Sequence, residues 1–446
     1  MRLRHPGGDL VHLGYCTNVH PAEDLDGILA QLDTYALPVR ARLAEPVLGI
    51  GLWLAHQVAA ALAGDAGLTR RLRAELGARG LEVVTLNGFP YGGFHRPVVK
   101  HAVYRPDWTS PDRRRYTAHL ARVLAGLLPD DVTEGSVSTL PFGWAADWSP
   151  HRTDRAREQI RLLGDELGAI RGRTGRTVRV AFEPEPGCLV ETSTDAVRHL
   201  TGLDPRHFGL CLDVCHLAVA FETPAEALDR LARAGIPVVK AQISCALHAE
   251  DPTDPATRAA LTAFDEPRFL HQTRAAPPTA GTDHAPPAPP TAGTDGPPPA
   301  PATAGTDHAP PAPPTAGADG PPPAPATAGT DDLPQALTGP TALDPTRPWR
   351  THFHIPLHAD PAPPLASTRP VLRAALAALL RADTPVTRHL ETETYTWSVL
   401  PRPPSDSTGL ADGIAAELAW TRNELLALGL TAPAPAHPSA PHRSVR

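Results

Sequence analysis

Two glutamates end an apolar run that reads Val180-Ala-Phe-Glu183-Pro-Glu185-Pro-Gly-Cys188. Side chains at i and i+2 of a strand share a face, and a proline after each Glu stops the strand there. Further on, Phe208-Gly-Leu-Cys-Leu-Asp213-Val-Cys-His216 sets an Asp at the tip of another apolar run, with an imidazole three residues later. A buried Asp needs a cation or donors, unless it caps the helix that follows. In Ile236-Pro-Val-Val-Lys240-Ala-Gln242-Ile-Ser244 the polar residues Lys240, Gln242 and Ser244 fall on one face. His389-Leu-Glu391-Thr-Glu393-Thr-Tyr395-Thr-Trp397 alternates in the same way. Carboxylates, an amide oxygen and imidazole are ligands expected for Mg²⁺, Mn²⁺ or Zn²⁺. Such an ion would polarise a carbonyl or hydroxyl, and a neighbouring carboxylate would carry a proton. Of 41 basic residues only Lys100 and Lys240 are lysine, and a compact ammonium at a rim suits a substrate oxyanion or phosphate.

Such side chains need strands to aim them. Short runs rich in Val, Ile and Leu predict strands at Val11 to Cys16, Leu48 to Leu54, Val83 to Phe89, Ser136 to Phe142, Val178 to Glu183, Phe208 to Asp213, Val238 to Ser244 and His389 to Glu393. Amphipathic stretches lie between them, with starts such as Ser110-Pro-Asp and Thr223-Pro-Ala-Glu. Eight strand and helix pairs favour a closed (β/α)₈ TIM barrel, whose chemistry gathers at the carboxyl ends of the strands. No Gly-x-Gly-x-x-Gly follows any strand, which argues against an open dinucleotide-binding sheet.

The chain has 446 residues and a formal net charge of -7, with 41% hydrophobic residues. That acidity weighs against nucleic acid as partner and leaves a small-molecule metabolite open. No apolar run is long enough to span a bilayer, so a cytoplasmic protein is expected. Five cysteines without a Cys-x-x-Cys pair read as buried free thiols. From Ala275 to Thr330 only Ala, Pro, Thr, Gly, Asp and His occur, around a Thr-Ala-Gly-Thr-Asp unit with a period of 12 residues. With no Val, Ile, Leu or aromatic residue to bury, this block reads as a disordered insertion before the last strand. The expected organisation is thus barrel strands one to seven in 1–274, the insertion in 275–335, completion of the barrel in 336–430 and a disordered tail in 431–446.

At these residues the chain resembles the xylose-isomerase-like TIM-barrel superfamily. It is most similar to the EboE family of metabolite traffic proteins, through Leu13-Gly-Tyr-Cys-Thr-Asn18-Val-His20-Pro, Leu86-Asn87-Gly-Phe-Pro-Tyr91-Gly-Gly-Phe-His95, Phe182-Glu-Pro-Glu-Pro-Gly-Cys188, Leu212-Asp-Val-Cys-His216, His352-Phe-His354-Ile-Pro-Leu-His358 and Glu391-Thr-Glu-Thr-Tyr-Thr-Trp397. The isomerase and epimerase relatives hold one metal by Glu, Asp, His and Glu on successive strand ends, and the two Glu also move protons. The resemblance therefore implies Glu183, Asp213 and either Glu391 or Glu393 as ligands, with Glu183 and one of the latter pair catalytic. Gln242 stands where His is usual. His216 takes the place of a substrate-contacting His, and Glu185, Lys240 and Asn87 are expected to face substrate. Endonuclease IV-like members carry extra metal-binding residues before the last strand, so the resemblance also implies a second site or substrate contact at His352 and His354, with His95 near it. An EboE-like role implies partners among membrane proteins of an export pathway for a secondary metabolite.

Three functions compete. The first is a metal-dependent isomerase or epimerase of a small polyhydroxylated or carbonyl metabolite; the second is a metabolite-binding component without turnover; the third is an endonuclease IV-like phosphodiesterase, disfavoured by the charge and by Gln242.

Overall fold

The computed structural model describes residues 1–278 and 328–432. Eight parallel strands close a barrel: β1 (Leu10–Cys16), β2 (Leu48–Trp53), β3 (Leu81–Asn87), β4 (Glu134–Thr139), β5 (Thr177–Phe182), β6 (Phe208–Asp213), β7 (Val238–Ile243) and β8 (His389–Thr392). Each pairs with its neighbour in sequence, and β8 lies in register beside β1, with Glu391 opposite Gly14, so no edge is left open. All eight predicted strands are present, with no end shifted by more than three residues and Phe208–Asp213 matched at both ends. The apolar runs are buried from end to end in β2, β3, β6 and β7, as a sheet covered on both faces requires.

The helices begin where the sequence places their caps. Ser110 accepts the Asp112 N–H at 3.2 Å at the start of α1 (Pro111–Leu127), with proline in the first turn. Thr223 precedes α2 (Pro224–Arg233). One further helix, α3 (Ser407–Ala427), follows β8 and packs its buried face on the barrel core.

Between β7 and β8 lies a feature the sequence reading missed, a five-stranded antiparallel sheet. Its strands run in the order Gly329–Thr330, Thr273–Ala275, Trp349–Thr351, Leu247–Ala249 and Ala366–Ser367. They are two or three residues long and show no alternation to read. What holds them is a separate apolar cluster of Leu247, Leu261, Phe264, Leu333, Trp349, Phe353 and Ile355. Thr273 pairs with both Thr330 and Thr351, so the two roots of the repeat segment are ordered parts of this sheet. Leu333–Leu337 is a short helix capped by Asp332. The expected limits of the insertion, 275 and 335, are therefore too wide; residues 279–327 and those from 433 onward, including most of the expected tail, lie outside the described residues. All five cysteines are buried and free. Among the described residues no helix is long and apolar enough to cross a membrane.

The lower interior of the barrel is polar. His389 donates from Nδ1 to Ser136 Oγ at 2.9 Å, and the Ser136 hydroxyl donates to Thr85 Oγ1 at 2.9 Å. Burial, reinforced by His12 and Lys240 nearby, lowers the His389 pKa from 6.5 to about 3. The folded state thus keeps this ring neutral while the unfolded chain takes up a proton below pH 6.5. Its contribution is constant above that pH and is lost progressively as pH falls toward 3. Between pH 7 and pH 4 urea unfolding is expected to lose on the order of 3 kcal/mol through this residue. His389→Asn removes that part of the slope, and an unchanged slope in the variant refutes the assignment.

Candidate functional site

At the carboxyl ends of the strands, Glu183 follows β5, Asp213 ends β6 and Glu393 follows β8. One carboxylate oxygen of each lies within 4.8 Å of the other two, and all three residues are buried. Three carboxylates at this spacing repel one another in a site without bulk water. Burial first, then Glu393 and Asp213 for Glu183, and Asp213 and Glu391 for Glu393, raise both glutamates well above the ordinary carboxylate range.

For Asp213, Glu393 and His354 the surrounding bonds fix one atom and leave another free. Asp213 Oδ1 accepts from Ser244 Oγ at 2.8 Å and from the His216 N–H at 3.0 Å, while Oδ2 has no partner. Asp213 thus caps a helix and still offers an oxygen, so the two readings of this residue are compatible. Glu393 Oε1 accepts from Asn18 Nδ2 at 2.6 Å and Asn87 Nδ2 at 3.1 Å, and Oε2 is left over. Glu183 Oε2 is likewise buried and unpaired. His354, just beyond the strand Trp349–Thr351, donates from Nδ1 to the Glu393 carbonyl at 2.7 Å. A carbonyl only accepts, so the proton is on Nδ1 and the unpartnered Nε2 carries a lone pair. A His354 nitrogen, an Asp213 oxygen and a His216 nitrogen lie within 4.8 Å of one another, and burial lowers the His354 pKa to about 4. Glu183 Oε2, Asp213 Oδ2, Glu393 Oε2 and His354 Nε2, on two close-set triads that share Asp213, are the donor set a divalent cation takes.

Several expectations need correction. Glu391 lies one layer deeper, where its carboxylate is ion-paired with Lys240, both fully buried. A Cβ at Gly51 would overlap that carboxylate, so the glycine of β2 makes its room. Glu391, expected as ligand or base, thus stands outside the carboxylate triad, and Lys240, expected to contact substrate, does not line the cavity beside it. Burial alone would favour the neutral amine, yet the adjacent Glu391 charge holds the Lys240 pKa above its ordinary value. Gln242, expected as a ligand, accepts from the Cys211 thiol at 3.3 Å with the same amide oxygen. The missing imidazole comes instead from His354. His95 donates to or accepts from no carboxylate of the cluster; its Nε2 bonds the Asn18 carbonyl at 2.7 Å and braces the turn after β1.

Glu183 and Glu393 of the cluster line a cavity together with Asn18, Asn87, Glu185 and His216 and with the aromatic rings of Phe89, Phe94, Phe269 and Tyr395. Glu185 accepts from the Tyr104 hydroxyl at 2.7 Å, and burial raises its pKa. His216 donates from Nδ1 to the Pro184 carbonyl at 2.8 Å, and His352 donates from Nδ1 to Gln272 Oε1 at 2.7 Å. Their Nε2 atoms face each other at 3.0 Å, each with a lone pair, and the Tyr395 hydroxyl, 3.3 Å from His352 Nε2, can donate to that nitrogen. Burial, then His216, lowers the His352 pKa well below the ordinary range. Asn18, Tyr104, Gln272 and Tyr395 belong to this site and were not singled out in the sequence; only Asn18, beside Tyr15 and Cys16 at the end of β1, stood at a strand end where it was legible.

The closed barrel carries its carboxylate-rich cluster at the carboxyl ends of the strands, where the chemistry of TIM-barrel proteins gathers. Residues 49–281 match the xylose isomerase-like TIM barrel family, and the chain belongs to it. Similar solved structures include a xylose isomerase-like TIM barrel protein from Mycobacterium smegmatis in complex with magnesium, 15% identical over 55% of this chain and 78% of that one, with a TM-score of 0.39. D-psicose 3-epimerase with D-tagatose from Clostridium cellulolyticum is 14% identical over 52% and 72%, TM-score 0.36. An AP endonuclease of family 2 from Brucella melitensis is 16% identical over 52% and 78%, TM-score 0.34. No curated protein matches the chain.

Lys240→Met is expected to cost roughly 3–5 kcal/mol in denaturant unfolding, because it strands Glu391 as a buried charge. Adding Glu391→Leu should return most of that loss. Strictly additive losses would show that the two side chains do not act as a pair.

Proposed function

We propose that this protein is a divalent-metal-dependent isomerase or epimerase of a small polyhydroxylated or carbonyl metabolite. The observation that carries the reading is the set of orphaned buried atoms, Glu183 Oε2, Asp213 Oδ2, Glu393 Oε2 and His354 Nε2, on residues of two close-set triads that share Asp213. These four side chains would hold the ion, which when bound would polarise a substrate carbonyl or hydroxyl and acidify the neighbouring C–H or O–H.

The chain's own groups supply the rest. Asn18 and Asn87 orient Glu393 through Oε1, and their amides line the same cavity in which hydroxyl groups of a sugar or cyclitol would rest. Glu183 and Glu393, raised by burial, are bases strong enough to take a proton from carbon beside a carbonyl and to return it. Glu185 with Tyr104 provides a second carboxyl within the cavity for a proton on a substrate oxygen. Phe89, Phe94, Phe269 and Tyr395 line the site and keep water from the carbon centre. His216 and His352 would serve as an additional pair of nitrogen ligands or as a shared-proton pair beside it. The finer reading, an EboE-like handling of a secondary-metabolite precursor in the cytoplasm ahead of export with membrane-protein partners, is supported by the sequence fragments quoted above.

Elemental analysis of purified protein should find bound Mg, Mn or Zn. Glu183→Gln, Asp213→Asn and His354→Ala should each lower metal affinity by about 10- to 1000-fold, while the barrel's circular dichroism stays unchanged. Wild-type protein incubated with Mn²⁺ and a panel of ketoses and inososes in D₂O should place deuterium on the carbon beside the carbonyl, seen by NMR. Full metal occupancy in the Asp213→Asn, Glu183→Gln double variant would overturn the reading.

A further inference from the structure

Glu417, on α3, is 2% exposed although it stands on an outer helix of the barrel. Its Oε1 accepts from the Leu357 N–H at 3.0 Å and from Thr394 Oγ1 at 2.6 Å, and its Oε2 accepts from Trp397 Nε1 at 3.3 Å. These donors come from two segments that reach α3 separately. Leu357 lies three residues after His354, and Thr394 directly follows Glu393. Gly413, one turn before Glu417, opens the helix surface for the Trp397 ring, which a Cβ there would overlap. Thr396 Oγ1 donates to the His354 carbonyl, and His354 Nδ1 donates to the Glu393 carbonyl at 2.7 Å, so the segments are also tied to each other.

A carboxyl buried without a cation is costly, and burial pushes this one up to about 7. Among the described residues no Arg or Lys pairs with Glu417; only the three donors offset its burial. Space filling alone would be served better by Leu or Met at this position. The arrangement has a geometric purpose: one carboxyl group holds the strand-end segment and the inserted segment at a fixed separation.

We propose that Glu417 is a positioning residue of the metal centre, clamping the segments of His354 and Glu393 so that the free Nε2 and Oε2 atoms converge. This rests on the metal-binding reading of the site. It also couples α3, which contributes nothing to the cavity itself, to the affinity of the cluster.

The test is calorimetric titration of the full-length protein with Mn²⁺ and with Zn²⁺, alongside thermal melting without metal. Glu417→Ala should weaken binding by about 10- to 100-fold, Glu417→Gln should recover most of it because one acceptor oxygen remains, and Thr394→Val should give an intermediate loss. The Gln and Val variants keep the comparison valid if the Ala variant does not fold. Wild-type affinity in the Gln and Val variants together with wild-type affinity in a folded Ala variant, or lowered melting temperatures with no change in affinity, overturns the proposal and leaves the metal reading standing. A wild-type protein that takes up neither ion overturns both.

Discussion

The structure depends on one electrostatic constraint: Glu183, Asp213 and Glu393 are held within a coordination distance of each other, buried, with no cation among the described side chains free to neutralise them. The buried ammonium of Lys240 is bound to Glu391. The protein meets this constraint by asymmetry. For Asp213, Glu393 and His354, one polar atom is bound firmly by the chain and the other is left bare. Groups meant only for stability would have both atoms satisfied, since an unmet buried acceptor costs about 1–3 kcal/mol. The bare acceptors lie on two close-set triads that share Asp213, where a positive partner would offset their burial.

Beneath this layer the interior is arranged to keep charge apart. The Lys240–Glu391 pair sits between the cluster and the hydroxyl chain of Thr85, Ser136 and His389. Because that pair is internally neutral, it adds no net charge below the carboxylates; its ammonium favours the ionised form of Glu183, whereas at Glu393 the Glu391 charge raises the pKa more than Lys240 lowers it. An apolar plug in its place would pack as well, but it would remove the ammonium that favours ionised Glu183. The buried glycine at position 51 shows how closely the barrel wall is fitted to Glu391.

The barrel was legible in the sequence because its strands are buried on both faces and therefore appear as unbroken apolar runs, each ended by the polar residue that matters. Glu183, Asp213 and Glu393 stand at such ends. Alternation alone tells which face a side chain takes but not how deep it lies, which is why Glu391 and Glu393, equivalent in pattern, were inseparable until Lys240 claimed the lower one. The imidazole was harder still. Gln242 occupies the strand position where it was sought, whereas His354 arrives from a sheet whose strands are too short for any periodicity and which is joined by backbone bonds across a long excursion. Likewise nothing local in Tyr104 or Gln272 distinguishes a cavity wall from an ordinary polar loop.

That origin of the imidazole changes how the site must work as a unit. In a barrel whose ligands all sit on strand ends, each is positioned independently by the hydrogen-bonded wall. Here His354 is oriented by the backbone carbonyl of Glu393, itself a cluster member, so the two move together. The inserted sheet holds one end of that linkage through Thr273, Thr351 and the apolar cluster around Trp349 and Phe353, and the barrel holds the other through the register of β8 with β1 and β7. Relative displacement of sheet and barrel would separate His354 Nε2 from Asp213 without breaking any strand pairing in the barrel. The geometry of the cluster is therefore set at the junction of the two sheets and not within either.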